Sequence, residues 1–153
     1  MKIIARYRHP EVAKLPPLPK QNSPTLPRSA GRSQKGLISL YWDLENCAIP
    51  RQQLPFDIVQ RIRSRFVTPD LREVGFNCYC DAKSISNENR ISLSHANVNI
   101  VDVPDRKPGG VDRKILLDLD RFERTHNPPA TVILISGDID FVIEQSSVTH
   151  VNK

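Results

Sequence analysis

From Leu37 onward, short apolar runs alternate with stretches in which apolar residues recur every three or four positions. Leu37–Asp43, Val74–Cys80, Val98–Val103 and Thr131–Ser136 are short, apolar and rich in β-branched residues, and they read as strands. Between them, Phe56–Phe66 sets Ile58, Val59, Ile62 and Phe66 on one helical face and turns Arg61, Arg63 and Arg65 largely towards solvent. Ser86–Ala96 is a weaker helix. Val111–Thr125 is a strong one, entered through Gly109-Gly110, with Ile115, Leu116, Leu119 and Phe122 as its core stripe. A further helix is expected from Asp140 onward. This alternation predicts an α/β fold, a Rossmann-like parallel sheet flanked by helices on both faces.

Residues 1–35 break the pattern. They hold six of the thirteen prolines, with Ser, Gln and Lys/Arg between them, a composition that buries too little surface to offset chain entropy. The reading is a disordered, basic, Pro-rich leader over 1–35 and a folded domain over 36–153. Within the leader, Pro16 and Pro19 of KLPPLPK satisfy P-x-x-P, a possible docking segment for protein partners, although a plain basic linker is preferred. Charge divides along the same boundary. The leader has eight Lys/Arg against Glu11 alone, whereas 36–153 has fourteen against sixteen acids. The folded part is therefore slightly acidic.

Three cysteines are too few for a disulfide scaffold, and their odd number suits a reducing, cytoplasmic setting. The spacing of Cys78 and Cys80 with the scattered histidines does not supply a zinc site. No run of about 18 apolar residues is present, so no membrane span is expected. The apolar start of MKIIARYRHP is too short for a secretory signal.

The first strand ends in YWDLENCAIP, which places Asp43, Glu45 and Asn46 just past a buried run. Ligand sites in open parallel sheets form at the carboxyl ends of strands. Asp138 and Asp140 follow the last strand, in Ser136-Gly137-Asp138-Ile139-Asp140. Asp112 lies four residues before Leu116 and seven before Leu119, so its spacing puts it on the core-facing stripe at the helix's first turn. Asp118 and Asp120 fall away from that stripe and read as solvated charges. Taken singly, each acid is a helix cap or turn residue. Converging acids repel one another unless a cation lies between them, and hard oxygen donors suit Mg²⁺ or Mn²⁺. Such ions could serve phosphodiester cleavage.

D-x-E-N after the first strand, the helix-borne Asp112 and S-G-D-x-D-F after a late strand together resemble the NYN domain, a PIN-like group of nucleases. The longer strings YWDLENCAIP, VQRIR and RFERTHNPPATVILISGDIDF resemble the NYN domain of the meiosis regulator and mRNA stability factor family. That resemblance covers about residues 36–145. It implies a PIN-like sheet and a divalent-metal-dependent endoribonuclease that cleaves single-stranded RNA in mRNA turnover. Asp43, Asp112 and Asp138 would coordinate Mg²⁺ or Mn²⁺, with Asp140 in or beside that shell. Asn46 and Ser136 would position nucleotide or water. Arg106, Lys107, Arg113 and Lys114 flank Asp112 and are candidates for phosphate contact. Association with peroxisomes is implied by resemblance only, as no C-terminal targeting signal is visible. Family members usually carry RNA-binding and LOTUS modules after the NYN domain. The implied strand order, 3-2-1-4-5, places its fifth strand beyond Lys153, so the domain reads as incomplete at its C-terminal end and TVILIS as an open edge.

Two other readings stand beside the nuclease. A catalytically inactive RNA-binding or scaffold module would keep the fold, but would have little reason to retain buried like charges. A phosphatase of the aspartyl-phosphate type would need a motif such as D-x-D-x-T, and DLENC is not one.

Overall fold

The computed structural model describes residues 2–8, 35–104, 109–127 and 129–137. Five strands and three helices follow one another in the order β1 (Lys2–Arg8), β2 (Gly36–Asp43), α1 (Pro55–Phe66), β3 (Leu71–Cys80), α2 (Asn87–His95), β4 (Asn99–Asp102), α3 (Gly110–Thr125) and β5 (Ala130–Ser136). The sheet runs β1-β5-β2-β3-β4. β2 pairs in parallel with β3 and with β5, and β3 pairs in parallel with β4. This is the expected parallel α/β sheet, with β2 buried at its centre.

Alternation along β2 divides the core in two, because successive side chains point to opposite faces. Ile38, Leu40 and Trp42 meet Ile58, Val59 and Ile62 of α1 and Leu93 of α2. On the other face, Tyr41 packs with Val111, Ile115, Leu119 and Phe122 of α3. Helix α1 starts with Pro55 at its first position, where a missing N–H costs nothing. Ile58, Val59 and Ile62 are buried as the periodicity indicated and Phe66 only partly so, but Arg63 is not solvent-directed. Its guanidinium makes two 2.8 Å hydrogen bonds to Glu73 of β3 and also donates to the Ala96 carbonyl, joining α1, β3 and the end of α2.

Helix α3 is rotated slightly from the expected stripe. Val111, Ile115, Leu119 and Phe122 are buried, whereas Leu116 is 51% exposed. The actual stripe steps by about one turn from Val111, and Leu116 lies some 100° around from Ile115. Asp112 still borders the buried stripe, at its first turn.

The amino-terminal region departs most from expectation. Lys2–Arg8 is a strand that pairs antiparallel with β5, so a disordered leader does not hold for these residues, and TVILIS is not an open edge. β1 fills the place next to β5 that the fifth strand was expected to take. The physical reason is visible in KIIARYR: Ile3, Ile4 and Tyr7 favour strand, and an unpaired edge offers a row of N–H and C=O groups to any such segment. Residues 9–34 and the helix expected from Asp140 lie outside the described residues.

If β1 protects this edge, deleting residues 1–8 should lower the thermal melting midpoint and shift the protein to larger species in size-exclusion chromatography. An unchanged melt and a monodisperse elution would mean that β1 contributes nothing to the sheet.

Candidate functional site

The site begins where β2 runs out of sheet. The last apolar residue, Trp42, is fully buried and its indole Nε1–H donates to the Cys47 carbonyl at 2.8 Å. That bond folds the chain back on itself, assisted by Cys47 N–H donating to the Asp43 carbonyl at 2.9 Å and Leu44 N–H to the Tyr79 carbonyl at 3.0 Å. The returning loop, Leu44–Cys47, wraps around the Asp43 carboxylate.

Asp43 has no exposed surface. Its Oδ1 accepts from the backbone N–H groups of Glu45 and Asn46, both at 3.1 Å. Its Oδ2 accepts from Asn46 Nδ2 at 2.9 Å and from the Ser136 hydroxyl at 2.6 Å. A buried carboxylate is costly unless donors replace its water, and these four bonds do so without a positive charge. Asp43, Asn46 and Ser136 thus form one hydrogen-bonded unit across the carboxyl ends of β2 and β5.

Gly137 closes the same corner. A Cβ at this position would sit 1.9 Å from the Asn46 carbonyl oxygen, so only glycine lets the chain leaving β5 pass the DLEN loop. Asp112 comes from the opposite layer. It follows Gly109, whose φ of 77° is the left-handed conformation that starts α3, and it sits at the positive end of the helix dipole. Its Oδ1 is buried. Glu45 is exposed at the rim, and its pKa is raised, first by partial desolvation and then by the charges of Asp43, Asp112 and Asp81. These acids therefore share one edge.

Asp81 was not singled out from sequence. Its signal was there: YCD ends β3 as YWD ends β2, an apolar run closed by an aspartate. Asp81 Oδ1 accepts from Lys83 N–H at 2.9 Å, and Asp102, at the end of β4, accepts from Ala82 N–H at 2.8 Å.

The basic candidates divide. Arg113 is exposed. Lys114 is bonded instead to Asp118 at 2.6 Å, and Asp118 also accepts from the Tyr79 hydroxyl at 3.2 Å. Asp118 is thus a half-buried anchor between α3 and β3, and not the solvated charge its spacing suggested, because the rotation of α3 turns it towards Tyr79. Asp120 does face outward and pairs with Arg124. Asp138, Asp140, Arg106 and Lys107 lie outside the described residues. Among the described residues, no group of three His, Cys, Asp or Glu side chains is disposed to hold a metal ion.

A parallel α/β sheet with acids gathered at the carboxyl ends of its strands is the arrangement of the PIN-like domains, and the family match assigns the chain to that class. Residues 37–150 match the NYN domain, a branch of the PIN-like nuclease superfamily, and the chain belongs to the NYN family. It is 35% identical over 133 residues to meiosis regulator and mRNA stability factor 1 of Xenopus tropicalis, covering 86% of this chain and 8% of that protein. The Mus musculus protein of the same name is 35% identical over 113 residues, covering 74% of this chain and 6% of that one. The chain thus spans less than a tenth of these relatives' length. Among the described residues, no helix is long and apolar enough to cross a membrane.

Gly137→Ala should force the loops apart and cost about 1–3 kcal/mol, as overpacking does, read as a lower urea midpoint. A midpoint equal to wild type would show that the corner yields freely. Tyr79→Phe should cost about 1 kcal/mol by removing the hydroxyl from Asp118. The same urea titration tests it, and an unchanged midpoint would remove Asp118 as an anchor of α3.

Proposed function

We propose that this chain is a divalent-metal-dependent endoribonuclease domain that cleaves single-stranded RNA, in the setting of mRNA turnover. The observation that carries the reading is Asp43: a fully buried carboxylate held by four neutral donors at the edge where Asp112 also arrives. Family membership supports it, as do relatives named for mRNA stability.

The donor chemistry fits a hard cation such as Mg²⁺ or Mn²⁺, because the groups at this edge are carboxylate, amide and hydroxyl oxygens. Asp43 and Asp112 would hold it, together with Asp138, which follows Gly137 in sequence, and with Asp140 in or beside that set. When bound, such an ion supplies an activated water and stabilises the leaving oxygen of a phosphodiester. The chain's own contribution is positional. The donors around Asp43 fix its oxygens before substrate arrives, and the start of α3 adds a positive field where phosphate charge would enter. Ser136 and Asn46 would orient water or nucleotide, while Arg106, Lys107 and Arg113 would steer phosphate. Lys114, held by Asp118, is better placed to steady α3 than to meet RNA.

One observation favours a second reading, a non-catalytic RNA-binding module. Protein donors already occupy Asp43 on both oxygens, as they would if it were only a structural acceptor. Cleavage of end-labelled single-stranded RNA in Mg²⁺, Mn²⁺ or EDTA decides between them. Asp43→Asn is a usable variant, because Ser136 can turn to accept and the Asn46 amide can flip to present its oxygen. It should lower stability by about 1–2 kcal/mol yet remain folded by circular dichroism. The expected outcome is metal-dependent cleavage by wild type and at least a hundredfold loss in Asp43→Asn. Full activity in the variant would remove Asp43 from the site, and intact RNA binding without cleavage by wild type would favour the second reading.

A further inference from the structure

The chain that wraps Asp43 runs on from Cys47 through Arg51 and Gln53 to Leu54 and Phe56, where α1 begins. Helix α1 buries Pro55, Ile58, Val59 and Ile62, yet Leu54 is 64% exposed and Phe56 38%. Single apolar residues on a surface are ordinary. These two sit among cations, next to the acid edge.

Contacts tie Phe56 to that edge. Its backbone N–H donates to the Ser92 hydroxyl of α2 at 3.0 Å. Two residues earlier on α2, the Arg90 guanidinium donates at 3.4 Å to the carbonyl of Ala82, which follows Asp81. The Cys80 thiol is pushed up to about 11, first by burial and then by Asp102, Asp81 and Glu45, with Arg90 pulling the other way. Arg90 therefore shares the end of β3 with acids of the rim. On the other side, Arg61 leans back towards the start of α1: its Nη2 donates to Gln53 Oε1, and its Nε to the Asp57 carbonyl at 3.3 Å. The segments that meet here, 48–61 and 82–92, expose Arg51, Arg61, Lys83 and Arg90 against Asp57 and Glu88. An exposed ring among cations suits single-stranded nucleic acid, whose bases stack on aromatic faces while its phosphates meet the positive charge. A protein partner would cover the same two apolar residues, but the excess of cations favours a polyanion.

We propose that Phe56, with Arg61 and Arg90 beside it, is a base-stacking platform for single-stranded RNA on its way to the acid edge. This rests on the RNA reading above and adds to it a residue of α1, outside the acidic motifs. Phe56 holds a base and sets the path of the strand, and takes no part in cleavage. Every base has a π face, so the contact adds affinity without reading sequence.

The test is fluorescence anisotropy on the full chain in EDTA, where cleavage does not intervene. Two labelled probes of equal length are compared, an oligoadenosine RNA and the same ribose-phosphate strand without bases. Phe56→Ala should weaken binding of the oligoadenosine between about fivefold and a hundredfold, the range for loss of one stacked base, and leave the abasic strand unchanged. Phe56→Leu, which keeps the side chain apolar and the helix start filled, should lose as much as Phe56→Ala, whereas Phe56→Trp should bind as wild type or tighter. Arg61→Gln should weaken both probes alike and flatten the slope of log K against log salt by about 0.7. Circular dichroism confirms that each variant is folded. Wild-type affinity in Phe56→Ala or in Arg61→Gln would overturn the inference while leaving the RNA reading intact. So would an equal loss on both probes in Phe56→Ala, which would trace the effect to the fold, or full binding by Phe56→Leu, which would mark Leu54 and Phe56 as an apolar docking face for protein. Absence of oligoadenosine binding by wild type would remove the RNA reading itself, and this inference with it.

Discussion

Everything at the working edge of this domain follows from burying one carboxylate. Asp43 gives up its water at the end of the central strand, and the chain around it is shaped to replace that water. The DLEN loop turns its backbone N–H groups inward, Asn46 adds its amide, and β5 ends in the serine that reaches across. The Trp42 indole locks the returning loop from beneath, and Gly137 leaves room for the Asn46 carbonyl. Substituting any of these disturbs the same carboxylate, so fold and site at this corner are one structure.

The remaining elements bring chemistry to that carboxylate from both layers. α3 lies alone on its face among the described helices, and its polar anchor to the sheet is the Tyr79–Asp118–Lys114 chain. That anchor sets the rotation of the helix, and with it the direction from which Asp112 approaches. β1 closes the outer edge of β5 and runs antiparallel, so its beginning lies at the acid end. A parallel strand in that place would have put its carboxyl end there instead.

Much of this was legible in the sequence because burial imposes period. The four parallel strands and three helices followed from runs and spacings, and Asp43 stood out as a carboxylate closing an apolar strand, whereas Ser136 was reached only through the family resemblance. Asp112 was found with partly wrong geometry: the stripe was drawn through Leu116, which is exposed, yet Val111 and Ile115 keep Asp112 at its border. The errors came from interactions that period does not encode. Arg63 and Asp118 looked solvated by helical phase, but each is held by a partner on β3, Glu73 and Tyr79 respectively. Lys2–Arg8 was hidden by the proline-rich stretch after it, since local composition says nothing of a vacant edge more than a hundred residues away. Asp81 went unremarked because a single aspartate after a strand is common in turns.

The central claim is that the acids gathered at this edge form a divalent-metal site. Mn²⁺ binding by the whole chain, followed through loss of the free-ion electron paramagnetic resonance signal, tests it without reference to any RNA or to cleavage. The account predicts that wild type depletes the signal and that Asp112→Asn, matched to wild type by circular dichroism, leaves it standing. Equal depletion by Asp112→Asn, or none by folded wild type, would contradict it.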